Sequence, residues 1–385
     1  MSKRLLLCLV LVFCVGLAHG KNYEIKSFTR IFYDDNVFMR ASGTANQTDT
    51  FYYSQSIGVN AKFFQDSLTV RATPEIRHRQ VDNLTQFFGQ AQIKSKYEFG
   101  PKVVVESGNS FSHSERDPSD IDDDIDVTYF MNKSNIKVSW QPRYLTKLRF
   151  NYDNNIKRWS ENLPVGSGTE LTNGDYTKNA YTFTLEQIIH KRFIAELIGT
   201  RSFLEFNGNR GGLDHNVYYG QLSYVPNSFT ILKVNYGMID AWTKNQSGAE
   251  VEYSTPTYGV NLTFFTPRGT VLGFNSVYEV MDSSVAYWNM KENLKTSMII
   301  KYMLTPKLEI SGMAAHLITE YKDIGNRYEG LDLEREEEVF VSSITLSWKY
   351  DPFHYVEIGY QGLHLFNEDA DVFKNKYFVG YRWNF

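Results

Sequence analysis

Residues 67–79 read Ser-Leu-Thr-Val-Arg-Ala-Thr-Pro-Glu-Ile-Arg-His-Arg. The even-numbered positions from Leu68 to Ile76 are apolar or small, whereas the odd-numbered positions from Thr69 to Arg79 are polar or charged. An alternation of period two indicates a strand with one apolar and one polar face, because a helix would repeat its apolar positions every three or four residues. The stretch therefore predicts a β-strand whose two faces meet different surroundings.

The same alternation recurs along the chain, for example in 86–99, 144–153 and 340–350. Short turns, of which Gly100-Pro101 and Asp351-Pro352 are two examples, recur along the chain about every 40 residues. This period also fits the blade of a β-propeller. Longer polar segments, including 79–85, 113–126 and 366–373, alternate strictly with the short turns. This asymmetry favours one transmembrane antiparallel β-barrel of about 18 strands (16 to 18), with short periplasmic turns and longer extracellular loops. The alternation slips near 131–134, where we expect a β-bulge.

Composition is consistent with this all-β class. The chain of 385 residues has 27 Phe, 26 Tyr and 6 Trp, although its mean hydropathy is only −0.38. Strands with two different faces explain why the chain has many aromatic residues and yet a negative mean hydropathy, because the ionic inner face offsets the apolar outer face in the average. A formal charge of −4 gives no sign of a nucleic-acid partner.

The first residues have the pattern of a secretory signal peptide. A short basic segment ending at Arg4 precedes an apolar run from Leu5 to Leu17, and Ala18-His19-Gly20 fits a cleavage site. We therefore assign 1–20 to a signal peptide and 21–385 to the barrel; a signal anchor would need a longer apolar run. Both cysteines of the chain lie in the first 20 residues, which excludes disulfides and thiol chemistry from the rest.

The C-terminal strand carries the most specific signal. Apolar residues alternate up to the last position and resemble the insertion signal of bacterial outer-membrane proteins: Tyr377, Val379, Tyr381, Trp383 and Phe385. The resemblance implies a barrel in a Gram-negative outer membrane, with lipid and lipopolysaccharide around it. It also implies the barrel-assembly machinery as a partner that reads this strand.

A second resemblance lies in the segment Arg30-Ile-Phe-Tyr-Asp-Asp-Asn-Val-Phe38. It is similar to the first strand of a family of β-barrel porins of Gram-negative envelopes, which typically open with Tyr-Asp-Asp-Asn-Val and are often encoded near polysaccharide genes. Turns such as Thr305-Pro306-Lys307 resemble those of the same family. The related phrase Tyr152-Asp-Asn-Asn-Ile156 is expected at a strand-to-loop boundary, because Asp and Asn favour such positions.

Transport chemistry would belong to the inward, polar face. That face carries more basic than acidic residues, and its candidate basic ladder is Arg71, Arg77, Arg79, Lys94, Lys96, Lys147 and Arg149. Rows of like charge guide counter-ions through pores, so the pattern predicts a channel for small polar or anionic solutes, a class that includes saccharides. The alternative is that these charges only pair across strands and keep the wall hydrated. No cofactor is implied.

Two other sites have weaker signals. The segment 116–126 is rich in carboxylates, and Asp120, Asp122, Asp123 and Asp124 are candidate Ca²⁺ ligands, although the spacing lacks the glycine and distal glutamate of an EF-hand. For a rim-sited hydrolase, the candidate is His113 beside Ser110, Ser112 and Ser114. The other alternative to the channel is a surface-exposed binding or adhesion barrel with a plugged lumen.

Overall fold

The computed structural model describes residues 22–35, 49–64, 67–81, 83–115, 128–159, 163–164, 171–172, 175–206, 212–244, 250–282, 290–322, 335–367 and 371–384. The predicted signal peptide, the acidic segment 116–126 and Phe385 lie outside these residues. In the described part no helix is long and apolar enough to cross a membrane.

Eighteen strands form one antiparallel sheet that closes on itself. The first ten elements are β1 (Asn22–Asp34), β2 (Thr50–Phe63), β3 (Leu68–Arg79), β4 (Leu84–Phe99), β5 (Val103–Glu115), β6 (Thr128–Arg143), β7 (Thr146–Trp159), β8 (Leu163–Pro164), β9 (Leu171–Thr172) and β10 (Tyr176–His190). The others are β11 (Phe193–Phe206), β12 (Leu213–Asn227), β13 (Thr230–Lys244), β14 (Glu250–Phe265), β15 (Val271–Asp282), β16 (Met290–Thr305), β17 (Leu308–Lys322), β18 (Arg335–Lys349), β19 (His354–Asn367) and β20 (Asp371–Asn384).

Each barrel strand pairs with the next along the chain, and β1 pairs with β20 to close the ring. The two-residue strands β8 and β9 pair only with each other, inside the connection from β7 to β10. The predicted class, a single antiparallel barrel at the upper end of the predicted strand range, is confirmed, and the propeller is excluded.

The pairing register defines the two faces of the wall, because directly paired residues share a face. Ile31 pairs with Tyr53 on one side and Val379 on the other, and all three side chains are exposed. This face is the outer, apolar one. The partners of Arg30 lie on the opposite face, which lines the lumen. The faces predicted for 67–79 and 86–99 are those observed.

Aromatic residues concentrate at the short-turn end of the outer face. Tyr144, Trp348 and Tyr350 are 85%, 47% and 62% exposed, and Trp348 and Tyr350 pack edge to face. Such a girdle is typical of the boundary between lipid and water. The turns at this end are tight because side chains cap them: Asp351 Oδ1 accepts from the backbone N–H groups of Phe353 and His354.

Three detailed expectations are wrong. The connections at 80–83 and 368–370 are as short as the turns at the other end, because β3, β4, β19 and β20 continue further than the polar composition suggests. Asn83 has a φ of 54° and takes the left-handed position that a tight turn needs.

The bulge expected at 131–134 is also absent, since β5 and β6 keep one register over their whole paired length. The observed irregularities lie near the short turns instead, for example between Trp140 and Arg143. Finally, residues 152–156 lie inside β7 rather than at its end. In both places polar side chains on the outer face interrupt the alternation without any shift in register.

Candidate functional site: the lumen wall at the barrel closure

The inner face around the β1–β20 closure is lined by alternating cationic and aromatic side chains. We call it the cation–aromatic wall and define it by Arg30, Phe32, Tyr52, Arg77, Phe88, Lys376 and Phe378. Tyr52, Phe88 and Phe378 are each at most 8% exposed, so the rings pack against the barrel wall. The register of β20, β1, β2, β3 and β4 brings these residues together.

Ring stacking organises the centre of this wall. The rings of Phe32 and Tyr52 are stacked with centroids 4.6 Å apart, and Phe378 lies 5.5 Å from Phe32 on the other side. The Phe378 ring lies over Gly359, its paired residue on β19. A Cβ added to Gly359 would lie 2.2 Å from this ring. A glycine at this position is therefore required for the ring to lie flat along the wall.

The cations lie over these rings. The guanidinium carbon of Arg77 is 4.7 Å from the centroid of Phe88, that of Arg30 is 5.2 Å from Phe378, and the ammonium of Lys376 is 5.5 Å from Tyr52. Cation–π contacts at these distances hold a long side chain against a surface. The positive groups therefore line the lumen in fixed positions.

Carboxylates balance part of this charge. Asp34, 1% exposed, lies between Lys374 and Lys376, with an ammonium–carboxylate distance of 3.4 Å to each. Glu357 on β19 binds Arg30 at 2.9 Å and Arg382 at 3.3 Å. Buried carboxylates need such partners to offset their lost hydration.

The Tyr-Asp-Asp segment of the first strand contributes to this closure. Asp35 accepts two hydrogen bonds from Asn375 on β20, one from its backbone N–H at 2.6 Å and one from its side-chain amide at 2.7 Å. Tyr33 donates to Asp49 at 2.9 Å, next to β2. These contacts join the loop-side ends of β20, β1 and β2.

The predicted basic residues all lie on lumen-facing positions, but they form two groups instead of one ladder. Arg77 and Arg79 lie towards the loop end of β3, within or beside the cation–aromatic wall. The other five lie towards the short-turn end: Arg71, Lys94, Lys96, Lys147 and Arg149. Their functional role stays a prediction.

Several of these charges are paired, as the alternative interpretation holds. Arg77 binds Glu75 at 3.0 Å and Lys96 binds Glu98 at 2.6 Å, each within one strand. Arg149 reaches across strands to Glu186 and Glu196. By contrast, no carboxylate among the described residues forms an ion pair with Lys94 or Lys147, so the lumen keeps uncompensated positive charge at this level.

Arg30, Lys374 and the aromatic residues of the wall were not predicted from the sequence. Strand β1 carries aromatic residues on both faces, Phe28 and Phe32 inward and Tyr33 outward, so alternation alone does not show which face is the lumen. The pairing of β1 with β20 joins residues more than 300 positions apart. Only the closed register reveals it.

The loop end of the β15–β16 hairpin narrows the mouth of the barrel. Strands β14 and β15 pair only between Tyr258–Phe265 and Val271–Tyr278, so their loop-side ends separate. Met290, at the start of β16, is fully buried against Leu204, Leu213 and Ala241, whose side chains point into the lumen. Tyr253 of β14 also donates a hydrogen bond to Glu292. The hairpin end therefore lies inside the wall formed by β11–β14.

Other candidates are not supported by the geometry. The His113 ring is stacked on Phe130, with centroids 4.3 Å apart, and lies 5.7 Å from Phe88; no hydrogen bond joins it to Ser110, Ser112 or Ser114 among the described residues. The described contacts of His113 therefore give no support to the rim hydrolase. In the described part of the chain no group of three His, Cys, Asp or Glu residues could hold a metal ion. The candidate Ca²⁺ ligands lie in the segment outside it.

Comparison with solved structures agrees with the fold. The chain is similar to Pseudomonas aeruginosa OccK9 (OpdG), with a TM-score of 0.50, 12% identity, and coverage of 95% of this chain and 99% of that one. It is also similar to Pseudomonas aeruginosa OccK2 (OpdF) in complex with glucuronate, with a TM-score of 0.50, 10% identity and the same coverage. No family model and no curated protein matches the sequence.

The shared feature is the closed β-barrel that extends over the whole chain. A closed barrel leaves no unpaired strand edge, and its apolar outer face and aromatic girdle suit a bilayer. The predicted location in the outer membrane follows from this fold. The residues of the C-terminal signal are placed accordingly: Tyr377, Val379, Tyr381 and Trp383 point outward and are 51%, 57%, 43% and 40% exposed.

Proposed function

We propose that the protein is a porin-like channel that passes small anionic solutes along the cation–aromatic wall. The observation that carries this proposal is the fixed row of Arg30, Lys376 and Arg77 over aromatic rings on the lumen side. The planar guanidinium group of an arginine can bind a carboxylate through two parallel hydrogen bonds. The neighbouring ring faces suit the apolar face of a cyclic solute.

The class of solute follows from this chemistry. A small acid with a ring, such as a uronic acid, satisfies both halves of the wall at once. OccK2, which shares the fold, has been solved with glucuronate, and this supports a saccharide acid as the first compound to test. Movement down a gradient needs many weak contacts instead of one tight site, and the spread of cations over several strands fits that requirement.

Liposome swelling tests the proposal directly. Vesicles containing the purified protein should swell faster in sodium glucuronate than in glucose of equal osmolarity. Replacing Arg77 and Lys376 with glutamine should reduce glucuronate entry by roughly threefold, since removing positive charge from a lumen changes local ion concentrations by factors of this order. Entry of glucose should change little.

A matched control is Lys301→Gln. Lys301 also faces the lumen, but it lies on β16 in a pair with Glu309 at 2.9 Å, away from the cation–aromatic wall. Equal entry of both solutes, or an equal effect of Lys301→Gln on glucuronate, would contradict the proposed path. An absence of swelling in all solutes, together with silence in planar bilayers, would favour a plugged binding barrel.

A further inference from the structure

Polar side chains form a continuous band within the apolar outer face of the barrel. A single row of residues crosses six neighbouring strands from β4 to β11, and each residue pairs directly with the next one: Ile93, Asn109, Ser134, Asn154, Asn179 and Phe203. The register places this row on the same face as the exposed Ile93. Four consecutive polar residues thus lie between two apolar ends.

Neighbouring positions extend the row. We define the outer polar strip as Ser95, Ser107, Asn109, Asn132, Ser134, Asn154 and Asn179. Ser95 and Ser107 share a hydrogen bond at 2.7 Å, Asn109 donates to Asn132 at 3.0 Å and to Ser134 at 2.7 Å, and Asn154 donates to Asn179 at 2.9 Å.

Apolar residues bound this strip on both sides. Towards the short turns the next outward positions include Ile136 and Tyr181, 49% and 43% exposed; towards the loops they include Phe111 and Phe130. The strip therefore lies within the height of the apolar belt and not at the level of the lipid head groups. Acyl chains offer no hydrogen-bond partners, so amide groups facing them are costly.

Internal hydrogen bonds leave part of the strip unsatisfied. Within the part of the chain that the structure describes, the side-chain carbonyl oxygens of Asn109 and Asn154 accept no hydrogen bond, and the side-chain amide nitrogens of Asn132 and Asn179 donate none. Free acceptors and free donors thus occur together on one small surface. Ser107 and Asn109 are both exposed, and the small Ser107 and Ser134 side chains let another surface approach closely.

The outer face of β1 and β18–β20 carries an apolar row instead. The row that runs through Ile31, Val379, Ile358 and Leu346 is apolar throughout, and these side chains are 56%, 57%, 55% and 38% exposed. The polar strip of β4–β10 is thus not repeated on β1 and β18–β20, although paired polar residues also lie on the outer face of β11–β14, namely Arg201, Asn216, Asp240 and Ser254.

We propose that the outer polar strip binds a second copy of this chain within the membrane. A partner at this depth must itself span the outer membrane, so it must be another barrel. A surface with matched free donors and acceptors is complementary to itself, which is the requirement for a contact between identical faces. The strip carries no charged group, so two copies approach without repulsion.

Cysteine cross-linking tests which face is in contact. The only cysteines of the chain are Cys8 and Cys14; in a background with both replaced by serine, Ser107→Cys in native membranes should give a disulfide-linked dimer on mild oxidation. Ile358→Cys, an equally outward position on the opposite side, should give none. A dimer at Ile358 and none at Ser107 would overturn the assignment.

Native mass spectrometry from lipid nanodiscs gives the second readout. The wild-type chain should appear as a dimer, and the triple variant Asn109→Leu, Asn132→Leu and Asn154→Leu should appear as a monomer that keeps the heat-modifiable mobility of a folded barrel. The control variant Ser276→Val with Thr296→Val removes a hydrogen-bonded pair from the outer face of β15 and β16 and should leave the dimer intact.

A wild-type monomer at all concentrations, or a dimer that persists in the triple variant, would refute the proposal. So would a monomer that retains lipopolysaccharide or a different protein at the strip. The outcome is independent of the proposed transport function, because each barrel encloses its own lumen. Solute entry per barrel should be the same in the wild type and in the triple variant.

Discussion

Arg30 on the first strand reaches Glu357 on β19 by crossing the whole width of β20, with a guanidinium–carboxylate distance of 2.9 Å. The residue between them is Gly380, which pairs directly with both. A Cβ added to Gly380 would lie 2.9 Å from Arg30 Cγ. The glycine thus makes room for an ion pair that spans the closure of the barrel, and Arg382 completes it from β20.

Gly380→Val should weaken this closure. The added side chain occupies the space of Arg30, so Glu357, 4% exposed, keeps only Arg382. A buried carboxylate left with no partner costs about 3–5 kcal/mol. Because the Arg30 side chain is 36% exposed and Arg382 still pairs with Glu357, we expect roughly 2 kcal/mol. The measurement is urea unfolding of the refolded barrel in detergent, followed by tryptophan fluorescence.

The control is Gly58→Ala. Gly58 also faces the lumen, but a Cβ there would meet no atom closer than 3.8 Å, so its stability should change by less than about 1 kcal/mol, the range of a glycine substitution in a strand. Equal losses of stability in both variants would show that the closure ion pair is not the cause.

Single lumen charges on β4 should shift ion selectivity with opposite signs. Lys94→Gln removes a cation that has no ion-paired carboxylate among the described residues and should move the reversal potential in a KCl gradient towards cation preference. Glu98→Gln releases Lys96 from its pair and should move it towards anion preference. The double variant should return close to the wild-type value, because its net lumen charge is unchanged.

Asp240→Asn serves as the control for this pair of variants. Asp240 lies on the outer face of β13 and accepts a hydrogen bond from Ser254, so the wall separates it from the ion path. A shift of the same sign for Lys94→Gln and Glu98→Gln would show that this level of the lumen does not control selectivity.

The alternation of side chains predicts much of this architecture but not its closure. Arg71, Lys94 and Lys96 could be assigned to the lumen because their strands have one clearly apolar face. Arg30 could not, since aromatic residues occupy both faces of β1. The wall that surrounds it depends on contacts between the two ends of the chain, and such contacts have no local signal in a sequence.

Two other features could not be predicted from the alternation, for different physical reasons. The stretch 131–134, where a bulge was expected, is a regular part of β6. Its outward residues Asn132 and Ser134 are polar, and in the sequence two polar residues on the outer face look the same as a one-residue shift of the alternation. Met290 shares a strand face with Met298, yet Met298 is 57% exposed and Met290 is fully buried. The hairpin end moves inside the barrel, and only tertiary packing determines that displacement.

The inward hairpin end should limit conductance. Tyr253→Phe removes the hydroxyl that donates to Glu292, and loss of a hydrogen bond to a charged group costs about 1.5–3 kcal/mol. We expect the loop end of β15 and β16 to leave the wall more often, so single-channel recordings should show larger or more frequently fluctuating steps. Met290→Ala should act in the same direction by opening a cavity next to Leu204 and Leu213.

The control for this prediction is Tyr236→Phe. Tyr236 lies on the outer face of β13, is 66% exposed, and its hydroxyl has no hydrogen-bond partner among the described residues. Conductance that is unaltered in Tyr253→Phe and Met290→Ala would indicate that the narrowest part of the lumen lies elsewhere.

The outward aromatic residues of β20 should matter more for assembly than for stability. Trp383 and Trp348 are similar in exposure, 40% and 47%, and both face outward near the short turns, so their loss should change the free energy of unfolding in detergent by similar amounts. Only Trp383 belongs to the C-terminal pattern that ends at Phe385. If the assembly machinery reads that pattern, Trp383→Ser should lower the amount of heat-modifiable barrel in outer-membrane fractions severalfold, while Trp348→Ser should lower it much less. Deletion of Phe385 should resemble Trp383→Ser. Equal yields of Trp383→Ser and Trp348→Ser in cells would mean that these residues serve only as membrane anchors, because the two positions then differ in nothing that the cell detects.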